Sequence, residues 1–180
     1  MKIADVELRI IHLPLVRPFR TSFGTQVDRE ILMLKVTTSE GVIGWSECVA
    51  MSEPLYSSEY LAECMDVIKR FFLPALFQRG EFKAEQISAI LRPFLGHPMA
   101  KAAVETACID AQLRSEKVSL ASYLGAVKTK VECGVSVGIA PSIEQLIEEV
   151  TSYVEAGYRR IKLKIEPGWD IIPVGKIREL

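Results

Sequence analysis

The chain has 180 residues, 49% of them hydrophobic and 25% charged, enough apolar material to bury the core of one or two globular domains and too much for intrinsic disorder. Its 22 Lys and Arg against 23 Asp and Glu leave a net charge of −1, so no global field draws it to nucleic acid or to an anionic membrane. No run approaches the roughly 20 apolar residues of a membrane helix. The opening MKIADVELRI sets Asp5, Glu7 and Arg9 where a signal peptide needs an apolar stretch, and the expected compartment is the cytosol.

From Ile3 to Leu13, Val6, Leu8 and Ile10 alternate with Asp5, Glu7 and Arg9, the period of two that predicts a half-buried strand. The run Ile31 to Thr38, the turn Ser39-Glu40-Gly41 and the run Val42 to Glu47 predict a hairpin extending the same sheet. Between them Pro18-Phe-Arg-Thr-Ser-Phe-Gly-Thr25 reads as a loop. After Pro54, Ser57 or Ser58 is placed to cap a helix with Leu61, Met65, Ile68 and Phe72 on one face, ending at Pro74. A second helix is expected over residues 84–95, with Ile87, Ile90, Leu91 and Phe94 on one face. A third, alanine-rich helix is expected from Pro98 to about Ser115, its small residues allowing close approach of a neighbour. A short helical turn then ends at Leu124-Gly125.

Beyond a boundary near residue 127 the pattern alternates: strand Val131 to Ile139, helix Ser142 to Ala156, strand Arg160 to Glu166 and a helix starting near Asp170. Such alternation predicts parallel β/α units. Pro141-Ser142 and Gly168-Trp169-Asp170 supply helix starts, and Gly157 a stop.

Cys48, Cys64, Cys108 and Cys133 are scattered with no Cys-x-x-Cys pair, which argues for buried free thiols and against a zinc knuckle. With His12 and His97 the only histidines, a His-based triad has no support. Neither phosphate-loop pattern occurs around Gly134 and Gly138. Glu105 and Asp110, five apart on the alanine-rich helix, do not sit side by side as metal ligands and read as structural.

The informative segment is Arg159-Arg-Ile-Lys-Leu-Lys-Ile-Glu166. On a strand, Lys162 and Lys164 point one way and Ile161, Leu163 and Ile165 the other. In a barrel the lysines face inward, at the carboxyl end where barrel enzymes place catalytic groups. Two ammonium groups in one enclosed site disfavour each other's charge, which would let either act as a general base next to a carboxylate. Taken alone, the bare pattern more often marks the solvated face of an ordinary strand or a protected edge, and only its context favours the catalytic reading. Ser136, in the same phase on the preceding strand, either contacts substrate or is simply small enough for a barrel interior.

Taken together, Pro18–Thr25, Gly44-Trp-Ser-Glu47 with Pro54-Leu-Tyr56, Ala102-Ala-Val-Glu-Thr-Ala-Cys-Ile-Asp110, Leu124-Gly125, Gly134-Val-Ser136 and Ile161-Lys-Leu-Lys-Ile-Glu-Pro-Gly-Trp-Asp170 resemble the enolase superfamily, specifically its o-succinylbenzoate synthase and N-acylamino acid racemase group. The resemblance spans the whole chain. It implies an α+β capping domain, residues 1–127, followed by the start of an α/β (β/α) barrel, residues 128–180. It implies removal of an α-proton from a small-molecule carboxylate, with Mg²⁺ or Mn²⁺ stabilising the enediolate.

By position, Lys164 corresponds to the acid/base residue and Lys162 to its supporting cation. Ser136 corresponds to a substrate contact, Phe19 and Phe23 to the capping loop over the substrate, and Met51 to a second loop at the barrel mouth. For the apolar three, packing between domains is the plain alternative. A homo-oligomer is also implied.

Two departures stand out. Ser46 occupies a position that is commonly glycine in this group, a change expected to affect packing. The family's acidic metal ligands and opposing lysine lie on later strands, so no metal ligand is assigned within residues 1–180, and a barrel needs about 250 residues. The chain alone is therefore expected to be inactive and prone to association. The parent activity is expected to be o-succinylbenzoate synthesis in menaquinone production, N-acylamino acid racemisation, or both. A dipeptide epimerase, and a noncatalytic module that pairs with another chain, are the competing readings.

Overall fold

A computed structural model describes residues 1–180. Strands β1 (Ile3–Thr21), β2 (Gly24–Thr38) and β3 (Ile43–Cys48) form a sheet in the order β1-β2-β3. The stretch read as a loop, Pro18–Thr25, is instead strand on either side of a Ser22-Phe23 turn, closed by the Thr21 hydroxyl donating to the Gly24 carbonyl at 3.1 Å. Prolines 14 and 18 are compatible with a strand here because β1 is at the sheet edge, where a missing N–H costs no ladder bond.

In the β2–β3 pair Leu32 faces Cys48, Leu34 faces Ser46 and Val36 faces Gly44, and all six are buried, so one face of the hairpin is core. Its turn is made by Gly41 at φ 80°, with the Thr38 N–H donating to the Val42 carbonyl at 2.9 Å.

That face packs on helices. α1 (Leu61–Val67) begins after Tyr60, and Ser57 donates to the Glu59 carbonyl rather than capping it. The helix does not end at Pro74. A π-helical turn, Ile68–Phe72, widens the coil immediately before α2 (Leu73–Arg79), and Pro74 then sits in the first turn of α2, where its missing N–H is tolerated. A 3₁₀ turn, Ala84–Gln86, leads into α3 (Ile87–Leu91), shorter than the expected 84–95.

α4 (Pro98–Glu116) carries buried Ala100, Ala103, Ala107 and Ala111, and β3 lies directly on them. A Cβ added at Gly44 would stand 2.1 Å from the Ala107 carbonyl oxygen and 2.4 Å from the Ala111 nitrogen. Ser46 uses the same closeness: its hydroxyl donates to the Ala103 carbonyl at 2.6 Å. Asp110 is structural, accepting from the Trp45 N–H and the Arg114 Nε, each at 2.8 Å. α5 (Leu120–Tyr123) ends before Gly125, at φ 68°.

β4 (Val135–Val137) and β5 (Ile161–Leu163) pair in parallel and are shorter than the expected Val131–Ile139 and Arg160–Glu166. The Val135 N–H bonds to the Arg160 carbonyl at 3.0 Å and the Lys164 N–H to the Val137 carbonyl at 2.9 Å. Strand geometry persists only where such a partner exists, and Cys133, expected to be buried, lies exposed before β4 begins. α6 (Ile143–Glu155) starts at Ser142, whose hydroxyl accepts from the Gln145 N–H, and α7 (Ile171–Arg178) starts at Asp170, whose carboxylate accepts from the Ile171 N–H at 2.8 Å.

The chain divides into two compact units. One comprises Met1–Leu13 and Glu30–Val127; the other comprises Pro14–Arg29 and Lys128–Leu180, so the tip of the β1–β2 hairpin belongs with the β/α segment. The first holds the sheet-on-helix core around Leu32, Leu34, Phe72 and Leu76. The second has its own core of Val137, Ala140, Leu146 and Val150, with Ile161, Leu163, Trp169 and Ile177 packed against it.

Candidate functional site

The β4–β5 register sets Ser136 opposite Lys162 and Val137 opposite Leu163. Val137 is fully buried and packs, with Ile161 and Leu163, against Leu146 and Val150 of α6, so alternation leaves Ser136, Lys162 and Lys164 on the face away from the helices. Ile165, expected on the helix side, lies past the end of β5 and is 49% exposed. Ser136 and Lys162 are exposed and Lys164 is half-buried. The enclosure that the sequence reading expects around both lysines is not supplied by residues 1–180.

The hairpin tip closes on this face. The Ile139 N–H donates to the Arg20 carbonyl at 3.0 Å, and a Cβ added at Gly138 would stand 3.2 Å from that same oxygen and 3.6 Å from the Phe19 ring. Glycine at 138 therefore lets the two backbones meet. Phe19 turns its ring to Lys164, with Nζ 5.8 Å from the ring centroid.

Two ion pairs flank the contact. Arg20 Nη2 lies 2.9 Å from Glu166 Oε1, and Glu166 is held by a Pro167-Gly168 turn in which the Trp169 N–H donates to the Glu166 carbonyl at 2.8 Å. Arg17 Nη2 lies 3.0 Å from Glu149 Oε1, with its guanidinium 5.4 Å from the Tyr153 ring centroid. Phe19, Arg20, Ser136, Gly138, Glu149 and Tyr153 border a cleft of about 170 Å³.

Of the residues singled out from sequence, Phe19, Ser136, Lys162 and Lys164 thus belong to one unit. Phe23 is in the hairpin turn, 43% exposed. Met51 lies in the other unit, half-buried, where its carbonyl accepts from the Leu61 N–H at 2.8 Å and fixes the entry to α1. Arg17, Arg20, Glu149 and Glu166 were not singled out. Their partners are 132 to 146 positions apart, and the only local signal was a pair of arginines bracketing Pro18-Phe19.

Chemically, an amine can take or return a proton, and the neighbouring cations favour an anionic group. No three His, Cys, Asp or Glu side chains come together in a way that could hold a metal ion. The residues present do not form a metal site. No helix is long and apolar enough to cross a membrane.

Residues 5–125 match the family described as mandelate racemase / muconate lactonizing enzyme, N-terminal domain. An N-succinylamino acid racemase of Amycolatopsis sp is 51% identical over 99% of this chain, which covers 48% of that protein. An o-succinylbenzoate synthase of Listeria innocua is 40% identical over 95% of this chain, which covers 46% of it. The crystal structure of a dipeptide epimerase from Enterococcus faecalis, complexed with Mg and the dipeptide L-Leu-L-Tyr, superposes with a TM-score of 0.87 at 26% identity, covering 99% of this chain and 50% of that one. The chain spans about half the length of the curated relatives it matches. With an α+β sheet-and-helix unit matching that family, followed by parallel β/α elements in a fold shared with the solved structures, the chain belongs to the mandelate racemase / muconate lactonizing enzyme family of the enolase superfamily.

Proposed function

We propose that residues 1–127 are the capping domain, and residues 128–180 the first two β/α units of the barrel, of a cytosolic, homo-oligomeric enzyme that removes the α-proton of a small-molecule carboxylate. The observation that carries this reading is the placement of Lys164 at the carboxyl end of β5, with Phe19 of the hairpin tip against it. An amine there is positioned as general base, and Lys162, on the same face, stabilises negative charge as it develops. Ser136, Phe19, Phe23 and Met51 line the substrate.

A divalent ion, Mg²⁺ or Mn²⁺, would neutralise the substrate carboxylate and the enediolate, held by side chains other than those of residues 1–180. The relatives' names point to o-succinylbenzoate synthesis, which would serve menaquinone production, or to N-acylamino acid racemisation; both start from the same proton abstraction.

The test is a Mg²⁺-dependent assay on the 180-residue chain and on a form that continues through the relatives' remaining half. The substrates are the o-succinylbenzoate precursor, N-succinylamino acids and a dipeptide. Turnover is expected only in the longer form, and Lys164→Ala is expected to reduce it by about 10²- to 10⁴-fold. Full turnover by Lys164→Ala overturns the assignment of the base. Turnover by residues 1–180 alone overturns the placing of the metal site elsewhere. Activity confined to the dipeptide selects the epimerase, and no turnover in either form selects a noncatalytic module.

A further inference from the structure

We infer that Phe19 is a positioning residue for Lys164: the hairpin tip holds the lysine by its ring face, so that the contacts fixing the tip also aim the amine. The inference rests on Lys164 being the base, as proposed above, and adds a second role for a residue assigned so far only to lining the substrate.

Lys164 follows the last paired residue of β5, where the backbone is fixed by its N–H on the Val137 carbonyl at 2.9 Å but the four-carbon side chain is free to sample many rotamers. The aromatic face of Phe19, 5.8 Å from Nζ, attracts the ammonium and narrows that set. Phe19 is itself fixed. Its neighbour Arg20 is tied through its carbonyl to the Ile139 N–H and through its guanidinium to Glu166, two residues beyond Lys164. Gly138 lets this segment approach. The ring and the amine are therefore held from two elements by contacts that meet at Arg20.

The test uses NMR of lysine-labelled protein together with kinetics on the catalytically complete form. The side-chain methylene protons of Lys164, assigned by comparison with Lys164→Arg, are expected upfield of the other lysines through the ring current of Phe19. The displacement is expected to vanish in Phe19→Leu and to persist in Phe19→Tyr. In kinetics, Phe19→Leu is expected to lower kcat by about 2- to 30-fold with KM little changed, and Phe19→Tyr to restore it.

Unshifted Lys164 resonances in the unaltered protein overturn the inference. A loss confined to KM also overturns it and leaves Phe19 as a lining residue only. Full activity of Lys164→Ala alongside a normal ring-current shift would instead overturn the assignment of the base while leaving the contact intact, so the two failures are distinct.

Discussion

Glu59 shows how one buried side chain joins two helices. It is 6% exposed, and its carboxylate accepts the N–H groups of Met99 and Ala100 at the start of α4 and the thiol of Cys64 in α1. The charge sits where the helix's unpaired donors and dipole favour it. Replacing it by alanine strands those donors in the core. Glu59→Ala is expected to lower stability by about 2–3 kcal/mol, seen as a reduced urea midpoint at unchanged slope.

The cysteines separate by access. Interaction between the neighbouring Cys48 and Cys64 side chains lowers the Cys48 thiol below its ordinary value and raises that of Cys64, while burial pushes Cys108 up to about 12. Cys48 is only 3% exposed, so its greater thiolate character does not offer it to a reagent. Iodoacetamide on the native chain, read by peptide mass spectrometry, is expected to label Cys133 alone, with the other three labelled only after unfolding.

Among the elements, the contact of β3 with α4 is the tightest. The close approach at Gly44 involves backbone atoms of α4, which cannot rotate away as a side-chain end could. Gly44→Ala is expected to cost about 1–3 kcal/mol or more and to lower the melting temperature clearly. Gly41→Ala, with open space around its Cβ, is expected to be penalised only for its positive φ.

The alanine spacing of α4, the β2–β3 hairpin and the caps Ser142 and Asp170 were legible in the sequence, because each depends on neighbours within a few residues. The extension of the hairpin through Pro18, the passage of the helix beyond Pro74 and the shortness of β4 and β5 were not. Each is settled by a partner distant in sequence or by a π-turn that no local pattern encodes. At the candidate site, strand alternation put Ser136, Lys162 and Lys164 on one face; the register of β4 and β5 sets Ser136 beside Lys162, while Lys164 follows the end of β5. The ties of Arg17 to Glu149 and Arg20 to Glu166 could not be read, since nothing local distinguishes them from surface charges.

At the scale of the molecule, the β/α segment has one parallel strand pair and a small core. Val127, Val131, Ile171 and Ile172 are each more than 60% exposed. Open strand edges and apolar side chains in water favour association. Size-exclusion chromatography with light scattering is expected to show the 180-residue chain as oligomers or aggregates growing with concentration, and a monomer at all concentrations would contradict this.

The division of the chain also bears on how such a protein can be recombined. Because Pro14–Arg29 belongs to the same compact unit as Lys128–Leu180, a single crossover near residue 127 would separate the Ile139 N–H, Glu149 and Glu166 from the arginines that meet them. A chimera between relatives that respects its contacts needs three breakpoints, carrying the hairpin tip with the later segment as one inherited block.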